Sequence, residues 1–333
     1  MKSCLRVALV GCGVISDNHI CGIIGTGKAK IVAICDIDRD RAENKKIQYG
    51  LRAEVYTDYI KMLECEDLDA VHIATPHHLH CEMTVAALER NIHVFLEKPM
   101  CINEEEIGKL IEAERNSTAK VCVCFQNRFN KTTRFARTVC DEDGGAISAY
   151  FAQFWKRDEK YYAQDKWRGK IATEGGGTMI NQAIHQLDLL CFFLGKPQKL
   201  CASVANHTLK GIIEVEDSCE GLVEFQGGKR ANFYATNAAA IGDYTSVILM
   251  TKNHRIELRH PDIYLDGVLV DEAKNTIPEV GKACYGEGHG YIIDGFYTSI
   301  IEDAPVPVSL EDAQYATRLV FACYKSNDNL IDI

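Results

Sequence analysis

The chain has 333 residues, more than most single hydrophobic cores can hold, which points to two domains. A hydrophobic fraction of 47% with 25% charged residues is that of an ordinary globular protein, and a net charge of −10 without a basic stripe argues against nucleic-acid or anionic-membrane partners. No apolar run reaches bilayer length, the opening Met1-Lys2-Ser3-Cys4-Leu5-Arg6 lacks the features of a signal peptide, and fifteen scattered cysteines without a CxxC fit a reducing cytoplasm.

Short apolar runs and helical periodicity alternate through the first third. They predict strands over 6–10, 31–35, 54–56, 70–74, 93–96 and 120–125, with helices over 14–24, 39–49, 59–65, 81–90 and 103–117. Apolar strands separated by helices mean a parallel, doubly wound sheet. After Asn127 the pattern changes. One helix (131–139) is followed by longer strands at 146–155, 198–205, 218–226, 230–236, 245–251 and 255–258, with Gly227-Gly228 reading as a hairpin turn. This is an α/β region with a large, mostly antiparallel open sheet. Helices over 289–301 and 310–325 close it.

Gly11-Cys12-Gly13-Val14-Ile15-Ser16 follows the first strand and opens a helix. The first glycine permits a tight turn, and the second lets backbone reach a pyrophosphate at the helix N-terminus. Ser16 replaces the usual third glycine or alanine, so the motif draws its weight from context. Asp36 ends the second strand, 25 positions after Gly11, where an acid accepts hydrogen bonds from a ribose 2′-OH and repels a 2′-phosphate. NAD is thus preferred over NADP. The plainer reading of Asp36 is a helix-capping acid.

Glu97-Lys98-Pro99 stands at the carboxyl edge of the fifth strand, where open α/β sheets bind ligands. A second stretch runs from Glu174 through Gly175-Gly176-Gly177 into a helix with an apolar stripe of Ile180, Ile184, Leu187, Cys191 and Leu194. Three glycines let backbone approach a ligand closely. Asn181, His185 and Asp188 recur at i, i+4 and i+7, so one face of the helix presents a histidine flanked by an amide and a carboxylate. The bland alternative is a solvated polar face.

The glycine loop, Asp36, Thr75-Pro76 with His80, Glu97-Lys98-Pro99 and the triple glycine with His185 and Asp188, in this order and spacing, resemble the Gfo/Idh/MocA family of sugar and polyol dehydrogenases. The resemblance spans nearly the whole chain. It implies a dinucleotide-binding Rossmann domain over 1–126 and a substrate-binding and oligomerisation α/β domain over 127–333, with substrate between them. It further implies Lys98, His185 and Asn181 as catalytic residues. Gly11, Gly13, Val14, Ile15, Asp36, Thr75, Pro76, His80, Glu97, Lys98, Gln126, Trp167 and Arg168 would bind the cofactor. Lys98, Arg157, Tyr161, Asn181 and His185 would bind substrate. Many members carry Asp where this chain has Asn181, and an amide cannot take a proton, so the proton falls to His185. The segment with Trp155-x-Arg157, Tyr161-Tyr162 and Trp167-Arg168-Gly169 resembles a subgroup some of whose members oxidise nucleotide-linked sugars or sugar acids at C3.

The expected reaction is hydride transfer between a secondary alcohol of a sugar, polyol or sugar nucleotide and NAD, with His185 as base and Lys98 stabilising the alkoxide. Competing readings are an NAD-dependent glycosidase working through transient C3 oxidation and a non-catalytic sugar-binding regulator. His77-His78-x-His80 superficially suits a metal, but no carboxylate or cysteine pair stands beside it, so no metal is expected. An apolar sheet face left open predicts a homodimer or homotetramer.

Overall fold

The computed structural model describes residues 4–276 and 286–333. It contains two compact units. The first takes in the chain up to Cys101, Glu105–Phe129 and the segment ending at Ala313; the second takes in Ile102–Glu104, the segment beginning at Asn130 and Gln314–Ile333.

The first unit is built on a six-stranded sheet: β1 (Leu5–Val10), β2 (Ala29–Cys35), β3 (Glu54–Tyr56), β4 (Ala70–Ile73), β5 (His93–Leu96) and β6 (Val121–Val123). The order β3-β2-β1-β4-β5-β6, with every pairing parallel, is that of a doubly wound fold whose strand order reverses beside β1. Helices α1 (Ser16–Thr26), α2 (Arg39–Gln48), α3 (Tyr59–Cys65), α4 (His80–Leu88) and α5 (Glu104–Arg115) connect the strands in turn. The central strands are buried along their length because helices cover both faces, which explains their unbroken apolar runs.

In the second unit, α6 (Lys131–Glu142) leads to β7 (Ser148–Lys156), the short helices α7 (Glu159–Ala163) and α8 (Ile171–Glu174), and α9 (Ile184–Leu194). Strands β8 (Pro197–Ala205), β9 (Ser218–Phe225), β10 (Arg230–Thr236), β11 (Ala238–Met250), β12 (Arg255–Arg259), β13 (Asp262–Leu265) and β14 (Val268–Leu269) follow. After α10 (Gly288–Ile301) and α11 (Leu310–Ser326), the edge strand β15 (Ile331–Asp332) completes the order β14-β13-β12-β11-β7-β10-β9-β8-β15. Pairing is antiparallel except between β7 and β10. Gly227 and Gly228, at φ 82° and 78°, turn β9 into β10 in a three-residue loop, 226–228, closed by the Phe225 N to Lys229 O bond at 2.8 Å. The strands β13, β14 and β15 and the helices α7 and α8 are too short to show a period, and the sequence pattern misses them.

Two placements are tertiary findings. Helix α10 returns to pack on α1 in the first unit, so close that a Cβ on Gly22 would stand 2.5 Å from Ile293 Cδ1. Helix α9 packs on β7 and is buried on nearly every side, so its polar residues do not form a solvated face.

Candidate functional site

In the first unit, four loops converge on the carboxyl edge of the parallel sheet. Following β1, Gly11 takes φ +92° and its amide donates to Cys35 O at 2.9 Å. A Cβ there would overlap Ala74 O and stand 2.7 Å from Ala74 C, so only glycine fits. At Gly13 the space a Cβ would fill is open, and Val14 beyond it is 73% exposed. Ser16 is buried and turns its hydroxyl back onto Gly13 O at 2.5 Å, which shows how serine serves at the third position. Ile15, the N-cap of α1, contributes no side-chain cap, leaving the positive end of an 11-residue helix facing the open side.

After β2, Asp36 accepts from Cys12 N at 2.8 Å and from Asp38 N at 2.9 Å. Asp38, not Asp36, caps α2, accepting from Asp40 N and Arg41 N. Asp36 therefore braces the glycine loop. Burial, and then the charge of Asp36, push the Cys12 thiol up to about 12, which leaves it no nucleophilic role.

Thr75 and Pro76 follow β4, and Glu97 and Lys98 follow β5 through a cis Lys98–Pro99 peptide. His80, expected to touch cofactor, does something else. It is fully buried, with Nδ1 2.7 Å from Pro99 O and Nε2 2.9 Å from Thr75 O. Burial lowers its pKa, and the two carbonyls oppose that only in part. His80 ties the two loops together and presents no nitrogen outward. Gln126 is also buried, with Cys124 Sγ 3.9 Å from its Oε1. His289 is buried within α10, whose N-cap is Glu287. Glu97, Cys124 and His289 bring one donor atom each within 4.8 Å of one another, a cluster invisible in the sequence because it joins three distant segments.

In the second unit the triple glycine departs from expectation. Each missing Cβ is replaced by protein, not by space for a ligand. A Cβ on Gly175 would stand 2.7 Å from Ile102 Cβ, one on Gly176 2.6 Å from Tyr324 Cζ, and one on Gly177 3.0 Å from Glu216 C. Glu216, which sequence reasoning passed over, accepts from Gly177 N and Met179 N, both at 2.9 Å, and from Tyr324 OH at 3.1 Å. Burial pushes its carboxyl up to about 7 against those donors. Met179–Ala183 then form a single π-helical turn before α9, so Asn181 and His185 are not in simple α phase.

Asn181 Nδ2 donates to buried Glu174, whose other oxygen accepts from Gly169 N. Asp188 is fully buried, and His185 is half-buried one turn earlier on α9. Gln182 joins Tyr161 OH and Asn237, and Asn237 reaches Tyr162 OH at 3.2 Å. Around them the aromatic and basic residues interleave. The Arg157 guanidinium lies 4.7 Å from the Trp155 ring centre and 5.0 Å from that of Tyr161. Arg168 lies 4.8 Å from Tyr161 and 4.5 Å from Trp167, and donates to Tyr161 OH at 2.7 Å. Arg157, Tyr161, Trp167 and Arg168 are thus one assembly, with Asn181 joined to it through Glu174 and Gly169. A cavity of about 300 Å³ opens beside Lys156, Arg157, Asp158, Thr208 and Asn237.

Two family models match the chain: the oxidoreductase family with an NAD-binding Rossmann fold over residues 5–125, and the Gfo/Idh/MocA C-terminal domain over 144–256. Inositol 2-dehydrogenase of Salmonella typhimurium is 33% identical over 129 residues, which are 38% of this chain and 38% of that protein. D-glucoside 3-dehydrogenase of Escherichia coli is 29% identical over 247 residues, 68% of each chain. The WlbA dehydrogenase of Chromobacterium violaceum, solved with NADH and UDP-GlcNAcA, superposes with a TM-score of 0.87 at 25% identity, covering 100% of this chain and 97% of that one. The chain belongs to the Gfo/Idh/MocA oxidoreductase family.

Proposed function

We propose that this protein is an NAD-dependent dehydrogenase that transfers a hydride between the nicotinamide and a secondary alcohol of a sugar, polyol or sugar nucleotide. One observation carries the reading: the glycine loop, Asp36, Thr75-Pro76 and Glu97-Lys98 all lie at the same carboxyl edge of one parallel sheet, beside its order reversal. The uncapped start of α1, at Gly13, Val14 and Ile15, suits a pyrophosphate, and Asp36 retains acceptor capacity for a ribose hydroxyl. NAD, when bound, supplies the hydride acceptor.

Lys98 hydrogen-bonds the reacting oxygen and stabilises negative charge developing there. His185 takes the hydroxyl proton. Asn181, its amide oriented by Glu174, pairs with a neighbouring hydroxyl. Arg157 and Tyr161 contact the substrate, the aromatic face stacking on a sugar ring. Thr75, Pro76, Glu97, Gln126, Trp167 and Arg168 complete the cofactor surroundings. Residues 1–126 serve the dinucleotide and 127–333 the substrate and self-association, with α10 assisting the first unit.

A homodimer or homotetramer forms through the outer face of the nine-stranded sheet. There Tyr150, Tyr244 and Met250 are about 40% exposed, and Phe154 stands 5.7 Å from Tyr234 and 5.8 Å from Tyr244. A cytoplasmic setting agrees with the many buried thiols. Among the described residues no helix is long and apolar enough to cross a membrane.

The test is NADH formation by the wild type and His185→Ala against inositols, free sugars, sugar acids and nucleotide sugars. The expected result is a signal with one substrate class that falls about 10²–10⁴-fold in the variant while NAD affinity holds. Consumption of a glycoside without NADH accumulation would replace this reading with the transient-oxidation glycosidase. Equal loss of turnover and NAD affinity would remove His185 from the chemistry.

A further inference from the structure

Behind the glycine loop, polar side chains run in single file through the core of the first unit. His19 of α1 places Nε2 3.0 Å from Glu97 Oε1 and Nδ1 2.9 Å from His72 Nδ1. His72, in the middle of β4, places Nε2 2.7 Å from Tyr297 OH on α10. His19, His72 and Tyr297 have no exposed surface and Glu97 is 6% exposed. Phe95 stacks on His72 at 4.7 Å and meets His19 edge-on at 5.5 Å. Aromatic rings thus occupy the place of water. None of His19, His72 and Tyr297 takes part in the chemistry proposed above.

Counting hydrogens orders the chain. A bond between two Nδ1 atoms holds one hydrogen, so one histidine donates and the other accepts. In one order Tyr297 O–H donates to His72 Nε2, His72 Nδ1–H to His19 Nδ1, and His19 Nε2–H to the Glu97 carboxylate. Every hydrogen then has an acceptor. Reversing any of these bonds also reverses the Tyr297 bond, adds one proton to the chain, and leaves the tyrosine hydrogen in need of a further acceptor. No second partner of Tyr297 OH appears among the described residues. Full satisfaction selects the first order, because an unpaired hydrogen in so dry a place is costly. The shifts agree. Burial takes His72 well below its ordinary value. Burial would raise Glu97, yet the hydrogen bond from His19, with the Lys98 ammonium nearby, leaves it well below the usual carboxylate range.

We propose that Tyr297, His72 and His19 form a one-directional hydrogen-bond relay that holds Glu97 as the carboxylate beside Lys98. His19 is then a positioning residue, acting on the site through Glu97. His289, Lys98 and Cys124 are the other titratable groups facing Glu97, while His19 and Glu97 face His72.

The first test is ¹⁵N NMR of the histidine rings in the full chain near neutral pH, with His19→Gln and His72→Gln assigning the signals. The relay requires a neutral His72 protonated on Nδ1 and a His19 protonated on Nε2. A His72 protonated on Nε2 would overturn it. The second test rests on the dehydrogenase reading: the pH profile of kcat/KM for His19→Leu, His19→Gln and Tyr297→Phe. Leucine removes the donor to Glu97 and should bring its carboxyl up toward the ordinary carboxylate range, adding a second protonation that steepens the acid limb there, while glutamine, whose amide can still donate, restores the wild-type profile. Equal losses of thermal stability in both variants with an unmoved profile would reduce His19 to packing. Absence of any sugar-dependent NADH with the required tautomers in place would sink the dehydrogenase and leave the relay standing. Should His19→Leu not fold, Tyr297→Phe carries the kinetic arm, with a smaller shift in the same direction.

Discussion

Two glycines of similar appearance in the sequence have opposite structural burdens, and substituting each by alanine separates packing from binding. At Gly177 a Cβ would overlap the Glu216 carbonyl oxygen and stand 3.0 Å from its carbon. Both are backbone atoms and cannot rotate away, so the strand end must move, taking with it the Thr178 N to Glu216 O bond at 3.3 Å. Overpacking of this kind costs about 1–3 kcal/mol, and the loosened hydrogen bond about 1 kcal/mol more. Gly177→Ala should therefore lose about 3 kcal/mol, a large share of a typical domain's stability. Gly13 has nothing within 4 Å of the Cβ position, so Gly13→Ala should stay within about 0.5 kcal/mol of wild type. Its methyl group would instead occupy the space assigned to the pyrophosphate, weakening NAD by about tenfold or more, about 1.4 kcal/mol. Denaturant unfolding and NAD titration of both variants read the contrast. A Gly177→Ala protein as stable as wild type would refute the steric reasoning. A Gly13→Ala protein with unchanged NAD affinity would refute the placement of the cofactor.

Glu216 should make the second unit sensitive to pH. Its folded carboxyl lies at about 7 against 4.5 for the free group, so the folded state holds a proton that the unfolded state releases first. That contribution is fully present below pH 4.5 and is lost as pH rises through about 7, a change of about 3 kcal/mol, so Glu216→Gln should flatten the stability profile across this window. A profile unchanged by the substitution would mean the burial is relieved by water. Both tryptophans are stacked by arginine, Trp155 by Arg157 and Trp167 by Arg168, so intrinsic fluorescence reports the assembly directly. Arg168→Lys gives up a planar stack on two rings and the fork that reaches Tyr161 OH and Asp165, and should cost about 1 kcal/mol with a shifted Trp167 emission. An emission spectrum identical to wild type would show that the stack is not populated in solution.

Local chemistry decided much of this protein from the sequence alone. The doubly wound sheet follows from apolar runs too short for helices and separated by helical periods, and the hairpin at Gly227-Gly228 follows from the positive φ that only such a pair tolerates cheaply. The positions of Gly11, Asp36, Lys98 and His185 were legible because each belongs to a motif of fixed spacing along the chain. What remained hidden depends on groups far apart in sequence. His72 in an apolar strand and His19 on the buried face of α1 are each a faint signal of a polar core, yet their partnership with Tyr297 exists only once α10 packs on α1. The triple glycine announced a close approach but not by what, and the approaching atoms come from Ile102, Tyr324 and Glu216. His80 turned from a cofactor contact into a brace because the two carbonyls that claim it belong to loops after different strands. Spacing along the chain encodes backbone geometry and the face a residue occupies, whereas the partner that satisfies a buried polar atom is chosen by tertiary packing, where desolvation makes every such choice matter.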